Sequence, residues 1–293
     1  MPLSVAAGVA GPDRVASGAS PVSEPAASAG ETEEHPVKIA RYRDGSGSVT
    51  WGIVEGDRLF AAAGDPFAGP LQRQAEVGPV GDASLVTPVD PGKIVCVGLN
   101  YAAHVTENDP TRTVPDEPVI FMKPQSALIA DGEAIVIANP GNQTDYEAEL
   151  VVVIGRRASK VSVADARSAV LGFTVGNDVS DRVLQKKDGQ WVRAKGYDTY
   201  CPLGPVIETD VDPTAGDGLR VQSRLNGEPR QSGVTTDMLF DVDDLVSRIS
   251  HVMTLDPGDV ILTGTPEGVG GLKSGDVIEC EVSGIGVLRN TVA

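Results

Sequence analysis

The sequence predicts a β-rich, mixed α+β protein with a small N-terminal β lobe. Three observations carry this expectation. Short apolar segments rich in β-branched residues recur along the chain, turns of Gly, Pro and Asp separate them, and few stretches have helical periodicity. Strands and helices do not alternate as βα units, which argues against a doubly wound parallel sheet. With 293 residues the chain can bury a sizeable core.

Residues 1–36 are rich in Ala, Gly, Ser and Pro, lack any aromatic residue, and close with Glu31, Glu33 and Glu34. Such a segment cannot bury enough apolar surface to offset its ordering entropy, so a disordered tail is expected. Alternation over 37–42, a turn at Asp44-Gly45-Ser46-Gly47 and renewed alternation over 49–54 predict a β-hairpin. A second turn at Asp57 and Arg58 precedes Leu59 and Phe60, so residues 37–84 form the small lobe. Gly78-Pro79-Val80-Gly81, then Pro88, Pro91 and Gly92, lead into a main domain over 85–293.

In the main domain, 94–98, 145–154 and 173–178 read as buried strands. A helix is expected from Tyr101 onward, another over 161–169 with Ser162 as N-cap, and an amphipathic one over 240–249. Residues 183–192 read as a polar helix or a loop. Asn226-Gly227 predicts a hairpin turn within 219–234, and 258–264 and 275–280 add further strands. No repeat of fixed period is present.

Composition excludes several classes of partner. A net charge of −17 and a pI near 4.5 disfavour nucleic acid and anionic membranes. No apolar run reaches the length of a membrane span, and residues 1–10 lack a basic signal-peptide region. Cys96, Cys201 and Cys280 are widely spaced and odd in number, which fits neither a metal cluster nor a disulfide framework. A cytoplasmic location is expected.

The chemistry centres on Glu147 and Glu149. Side chains two apart on a strand share a face, about 7 Å apart, and two carboxylates beside a run of valines call for a neutralising group. A hard divalent cation with oxygen ligands does this well. Asp178, at the end of an apolar strand, completes a three-carboxylate set. His104 and Glu107 share a helix face at i and i+3, where a carboxylate can orient an imidazole as general base. Arg182, Lys195 and Lys123 are candidate anion anchors, and Gln185 and Thr265 candidate neutral hydrogen-bond partners. Each alone reads more readily as a solvated or turn-capping residue, and their co-occurrence is what singles them out. The glycine-rich 263–270 lacks the Gly-Lys-Ser/Thr ending of a P-loop, which rules out nucleotide binding there.

Four stretches carry a resemblance: Gly98-Leu99-Asn100-Tyr101-Ala102-Ala103-His104, residues 145–150, Gly176-Asn177-Asp178-Val179-Ser180-Asp181-Arg182, and residues 261–270. In this order they resemble the fumarylacetoacetate hydrolase family over roughly residues 85–293. The resemblance implies a β-roll catalytic domain, often a homodimer, with Mg²⁺ or Mn²⁺ held by Glu147, Glu149 and Asp178. It implies His104 and Glu107 as a general-base pair on a lid, with Lys195 joining them in the catalytic set. Arg182, Gln185 and Thr265 match positions that contact a 2-oxo acid substrate or build its pocket. Leu99 departs from acylpyruvate-cleaving relatives that carry a basic residue there. The implied activity is metal-dependent hydrolysis of a C–C bond in acylpyruvates such as fumarylpyruvate or acetylpyruvate. The alternative is an isomerase, decarboxylase or tautomerase of keto and enol diacids, such as oxaloacetate or 2-hydroxyhepta-2,4-diene-1,7-dioate, in aromatic catabolism. A metal-stabilised binding module is the non-enzymatic alternative.

Overall fold

The computed structural model describes residues 38–107 and 110–293, so the tail expected over residues 1–36 lies outside the described residues. The protein is built around Ala148–Ile154, whose seven residues are all buried. Its side chains feed two cores. Leu150, Val152 and Ile154 enter one apolar cluster, while Val151 and Val153 enter another on the opposite face. A strand buried on both faces reads as a continuous apolar run, which is what this sequence shows. Each fully buried Leu, Ile or Val stabilises the fold by about 1.5–3 kcal/mol relative to exposure.

The central strand pairs antiparallel with Val170–Asn177 on one side and Val260–Leu262 on the other. Beyond Val260–Leu262 lie Ile94–Gly98, parallel to it, and Val119–Lys123. Beyond Val170–Asn177 lies Cys201–Glu208, which receives Lys38–Arg43 along its other edge. The expected N-terminal hairpin forms from Lys38–Arg43 and Val49–Glu55, followed by Arg58–Ala63 and Gln72–Pro79, so the N-terminal strands continue the main sheet. A second, five-stranded sheet contains the Arg220–Leu225 and Glu228–Val234 hairpin, turned at Asn226-Gly227. It also contains Val277–Val282, Gly286–Val292 and Ala134–Ile135. Val221, Ile278, Val282 and Leu288 of this sheet reach the same core as Leu150, as do Val242, Leu245, Val246 and Ile249 of the helix Val242–Val252.

A third sheet is small and matters most for function. Ser180–Asp181, Thr144–Tyr146 and Gly270–Gly271 make three short strands. The sequence suggests one strand through 145–154, whereas the structure has two, Thr144–Tyr146 and Ala148–Ile154, in different sheets. Glu147 is the crossover residue. Its N–H donates to Asn177 Oδ1 (2.9 Å) and its carbonyl accepts from the Asp178 N–H (2.9 Å). The turn thus takes its hydrogen bonds from the strand end that carries Asp178. All three cysteines are free and buried. No helix among the described residues is long and apolar enough to cross a membrane.

Candidate metal centre and active site

Glu147, Glu149 and Asp178 converge where the crossover meets the end of Val170–Asn177. One carboxylate oxygen from each lies within 4.8 Å of the others, and the three residues are 4, 1 and 1% exposed. Two of their cationic neighbours, Lys123 and Lys195, are also buried, and Arg182 is partly so. Lys195 Nζ donates to Glu147 Oε2 (2.9 Å) and Asp178 Oδ2 (2.5 Å). Lys123 Nζ lies 2.8 Å from Asp178 Oδ1 and donates to the carbonyls of Val179, Lys195 and Tyr200. Arg182 Nε donates to Asp145 Oδ2 (2.7 Å), while its Nη2 lies 2.6 Å from Glu147 Oε1. Aromatic faces complete the Lys195 pocket, with Nζ 4.9 Å from the Phe121 ring centre and 5.9 Å from that of Trp191.

The charges do not cancel. Asp145, Glu147, Glu149 and Asp178 face Lys123, Arg182 and Lys195, one cation too few. Glu149 is the carboxylate left over: its Oε2 accepts from the Gly264 N–H (2.8 Å), and it has no ion pair among the described residues. Burial, then the like charges of Asp178 and Glu147, push its pKa well above the ordinary carboxyl value. For Glu147 burial acts in the same direction, but Lys195, Arg182 and His104 outweigh it and hold the group well below the usual range. Lys195 and Arg182 are in turn held charged, because their carboxylates outweigh the burial that opposes it.

A divalent cation fits this donor set. Three buried oxygen ligands suit a hard ion, and Glu149, whose ionised form burial and the neighbouring carboxylates disfavour, is the one that lacks a counter-charge. The contacts of Lys123 with Asp178 Oδ1 and of Arg182 Nη2 with Glu147 lack hydrogen-bond geometry despite their short distances. They are charge contacts rather than hydrogen bonds.

A cavity of about 330 Å³ opens beside the cluster, lined among others by Leu99, His104, Arg112, Arg182, Gln185 and Trp191. The expected helix runs over Ala102–Glu107. Its His104 Nδ1 lies 2.9 Å from Glu107 Oε2, with the side chains 13 and 21% exposed. Leu99 adopts a left-handed backbone (φ 62°), uncommon for a branched residue. Asn100 holds the bend: its Nδ2 donates to the carbonyls of Thr263 (2.7 Å) and Phe240 (3.0 Å), and its Oδ1 accepts from the Phe240 N–H (2.9 Å).

Gln185 lines the cavity and its Oε1 accepts from Arg182 Nη1 (2.9 Å). Thr265 is placed differently. It is buried, its hydroxyl donates to the Ala148 carbonyl (2.8 Å) and accepts from Gln231 Nε2 (2.7 Å), and it is not among the residues lining the cavity. Gln231 escaped the sequence reading although it is 1% exposed and ties the second sheet to the site, accepting from the Ala148 N–H (3.0 Å). Only its place in an alternating strand signalled it. A larger cavity, about 500 Å³, lies elsewhere, between the Phe67–Leu71 loop and Arg156, Arg167 and Leu171. It holds none of the cluster residues.

Fold and site together define a class: a β-rich fold with a buried cluster of three carboxylates and a histidine–glutamate pair at the adjoining cavity. The chain belongs to the fumarylacetoacetate hydrolase family, matching the fumarylacetoacetate (FAA) hydrolase C-terminal model over residues 93–293. Residues 37–88 match the Rv2993c-like N-terminal model. An uncharacterized protein of Methanocaldococcus jannaschii is 47% identical over 213 residues, 73% of this chain and 88% of that one. The mitochondrial oxaloacetate tautomerase FAHD2A of Bos taurus is 41% identical over 232 residues, 76% of this chain and 73% of that one. The crystal structure of 2-hydroxyhepta-2,4-diene-1,7-dioate isomerase from Mycobacterium marinum superposes with a TM-score of 0.79 at 41% identity. That match covers 88% of this chain and 98% of the isomerase.

Proposed function

We propose that the protein is a divalent-metal-dependent enzyme that interconverts tautomers or double-bond isomers of a 2-oxo or 2-hydroxy-enol diacid by proton transfer. The single observation that carries this reading is the His104–Glu107 pair at the cavity beside the three carboxylates. The likeness to an oxaloacetate tautomerase and to a heptadienedioate isomerase supports the substrate class.

Glu147, Glu149 and Asp178 would hold the cation, which when bound supplies Lewis-acid stabilisation of negative charge on a 2-oxo acid. The remaining chemistry belongs to the chain. Glu107 faces His104 Nδ1, which fixes the tautomer with the proton on Nδ1 and leaves Nε2 as the basic nitrogen. Nε2 takes the acidic C3 proton of the keto acid and returns it to the 2-oxygen, giving the enol with no net gain or loss of atoms. Arg182, Gln185 and the rim residue Arg112 present donors to the substrate's carboxylates. Lys195 helps keep Glu147 ionised and hydrogen-bonds Asp178 as well.

Hydrolysis of an acylpyruvate is the second reading: the same pair can serve it by activating water, and the likeness to the tautomerase and the isomerase ranks it second. His104 Nε2 would take a proton from water as the oxygen adds to C4; the C3–C4 bond breaks, and C3 is protonated to give pyruvate and a carboxylic acid. The discriminating experiment assays purified protein with Mg²⁺ and with chelator on oxaloacetate, a hydroxymuconate-type diacid, acetylpyruvate and fumarylpyruvate. Metal-dependent tautomerisation or isomerisation faster than any cleavage supports the first reading. Cleavage as the dominant reaction overturns it in favour of the second.

A further inference from the structure

The His104–Glu107 pair is tied to the carboxylate crossover through the backbone of one residue, Gly268. Glu107 Oε2 contacts His104 Nδ1, while Glu107 Oε1 accepts from the Gly268 N–H at 2.8 Å. The carbonyl of Gly268 accepts from the Tyr146 hydroxyl at 3.2 Å. Tyr146 is 1% exposed and immediately precedes Glu147. Position 268 admits only glycine: its φ is +97°, and a side chain there would run into the Arg230 carbonyl.

From this chain of contacts we infer that Tyr146 and Gly268 are positioning residues: they hold Glu107, and through it His104, at the reacting distance from substrate bound beside the carboxylates. The inference rests on the base role proposed for His104. A six-residue helix is otherwise weakly held, since isolated helices of this length are unstable in water. Glu107 spends one oxygen on the imidazole and the other on the 264–268 segment, whose far side is fixed by Tyr146. The relay therefore spans from the ligand-bearing crossover to the base without touching the cation.

The test is a double-mutant cycle between Tyr146→Phe and His104→Ala, at saturating Mg²⁺, on oxaloacetate or the hydroxymuconate-type diacid, whichever the wild type turns over faster. Tyr146→Phe keeps the ring and deletes the hydroxyl, so one neutral hydrogen bond is lost. The expected result is a fall in kcat of about two- to tenfold with KM and calorimetric Mg²⁺ affinity unchanged. With His104 already replaced by Ala, the same change should cost nothing further, because the relay acts through the imidazole. An equal loss in both backgrounds, a loss confined to KM or Mg²⁺ affinity, or no loss at all overturns the inference. A wild-type rate in His104→Ala alone is a different failure: it overturns the base assignment, and the relay with it.

Discussion

Replacing Lys195 with Met should destabilise the metal-free protein severely and make its stability unusually dependent on divalent cation. Lys195 is 2% exposed, and its ammonium is shared by Glu147 Oε2 and Asp178 Oδ2. Met retains the length and packs well between Phe121 and Trp191, so the change isolates the charge. Breaking a buried ion pair from one side costs about 3–5 kcal/mol, because the partner charge is left buried and unpaired. For a body of this size each kcal/mol corresponds to about 2–4 °C, so the chelated variant should melt roughly 6–20 °C below wild type. A divalent cation supplies the charge that Lys195 gave up, and at a hundredfold excess over its Kd it returns about 2.7 kcal/mol. The assay is thermal unfolding of both proteins in chelator and in Mg²⁺ or Mn²⁺. Mg²⁺ should raise the variant's Tm by more than that of wild type. A variant melting within about 2 °C of wild type in chelator, or gaining no more from the cation, would refute the charge accounting of this site.

Three further outcomes follow from the same geometry. Glu147→Gln should weaken calorimetric Mg²⁺ binding and abolish turnover while leaving the circular dichroism spectrum unchanged; unaltered metal dependence would remove Glu147 from the ligand set. Because the Glu149 pKa is raised, its contribution to stability in chelator is fully present below the ordinary value of 4.5 and is lost as pH climbs through the raised folded value. Metal-free Glu149→Gln should therefore gain stability relative to wild type as pH rises, whereas cation-induced stabilisation of wild type should grow with pH, since the ligand must be ionised; melts at several pH values with and without Mg²⁺ read both trends. Leu150→Ala, at a fully buried position of the central strand, should cost about 2–5 kcal/mol in denaturant unfolding without changing which substrates are accepted.

The parts of the site that were legible in the sequence are those with local signatures. His104 and Glu107 three apart follow from the period of one helix, while Glu147 and Glu149 two apart and Asp178 at the end of an apolar run stand out as local patterns. Caps were legible too. Asp181 caps the helix Arg182–Asp188 through the Leu184 N–H, and Gly189 ends it at φ 68°, so the undecided stretch 183–192 carried its own start and stop signals. The break at Glu147 was hidden because what stabilises it, Asn177 and Asp178, comes from another strand about thirty residues on. Gln231 was hidden for the same reason, since its partner Ala148 is 83 residues away. Lys195 stood in the sequence as a catalytic group or anion anchor. Its role as counter-charge depends on the helix Val192–Lys195 turning it inward between two aromatic rings, which no spacing announces. The continuity of the N-terminal strands with the main sheet rests on the long-range pairing of Lys38–Arg43 with Cys201–Glu208.

The central claim is that His104, oriented by Glu107, moves the substrate proton beside a cation held by the three carboxylates. It is tested most directly by measuring oxaloacetate enol–keto interconversion at saturating Mg²⁺ for wild type, His104→Ala and Glu107→Gln, with Mg²⁺ affinity measured calorimetrically on the same preparations. The expected result is a rate lower by about 10²–10⁴-fold in His104→Ala, a smaller loss in Glu107→Gln, and unchanged Mg²⁺ affinity in both. Interconversion at the wild-type rate without His104, with the cation still bound, would contradict the account.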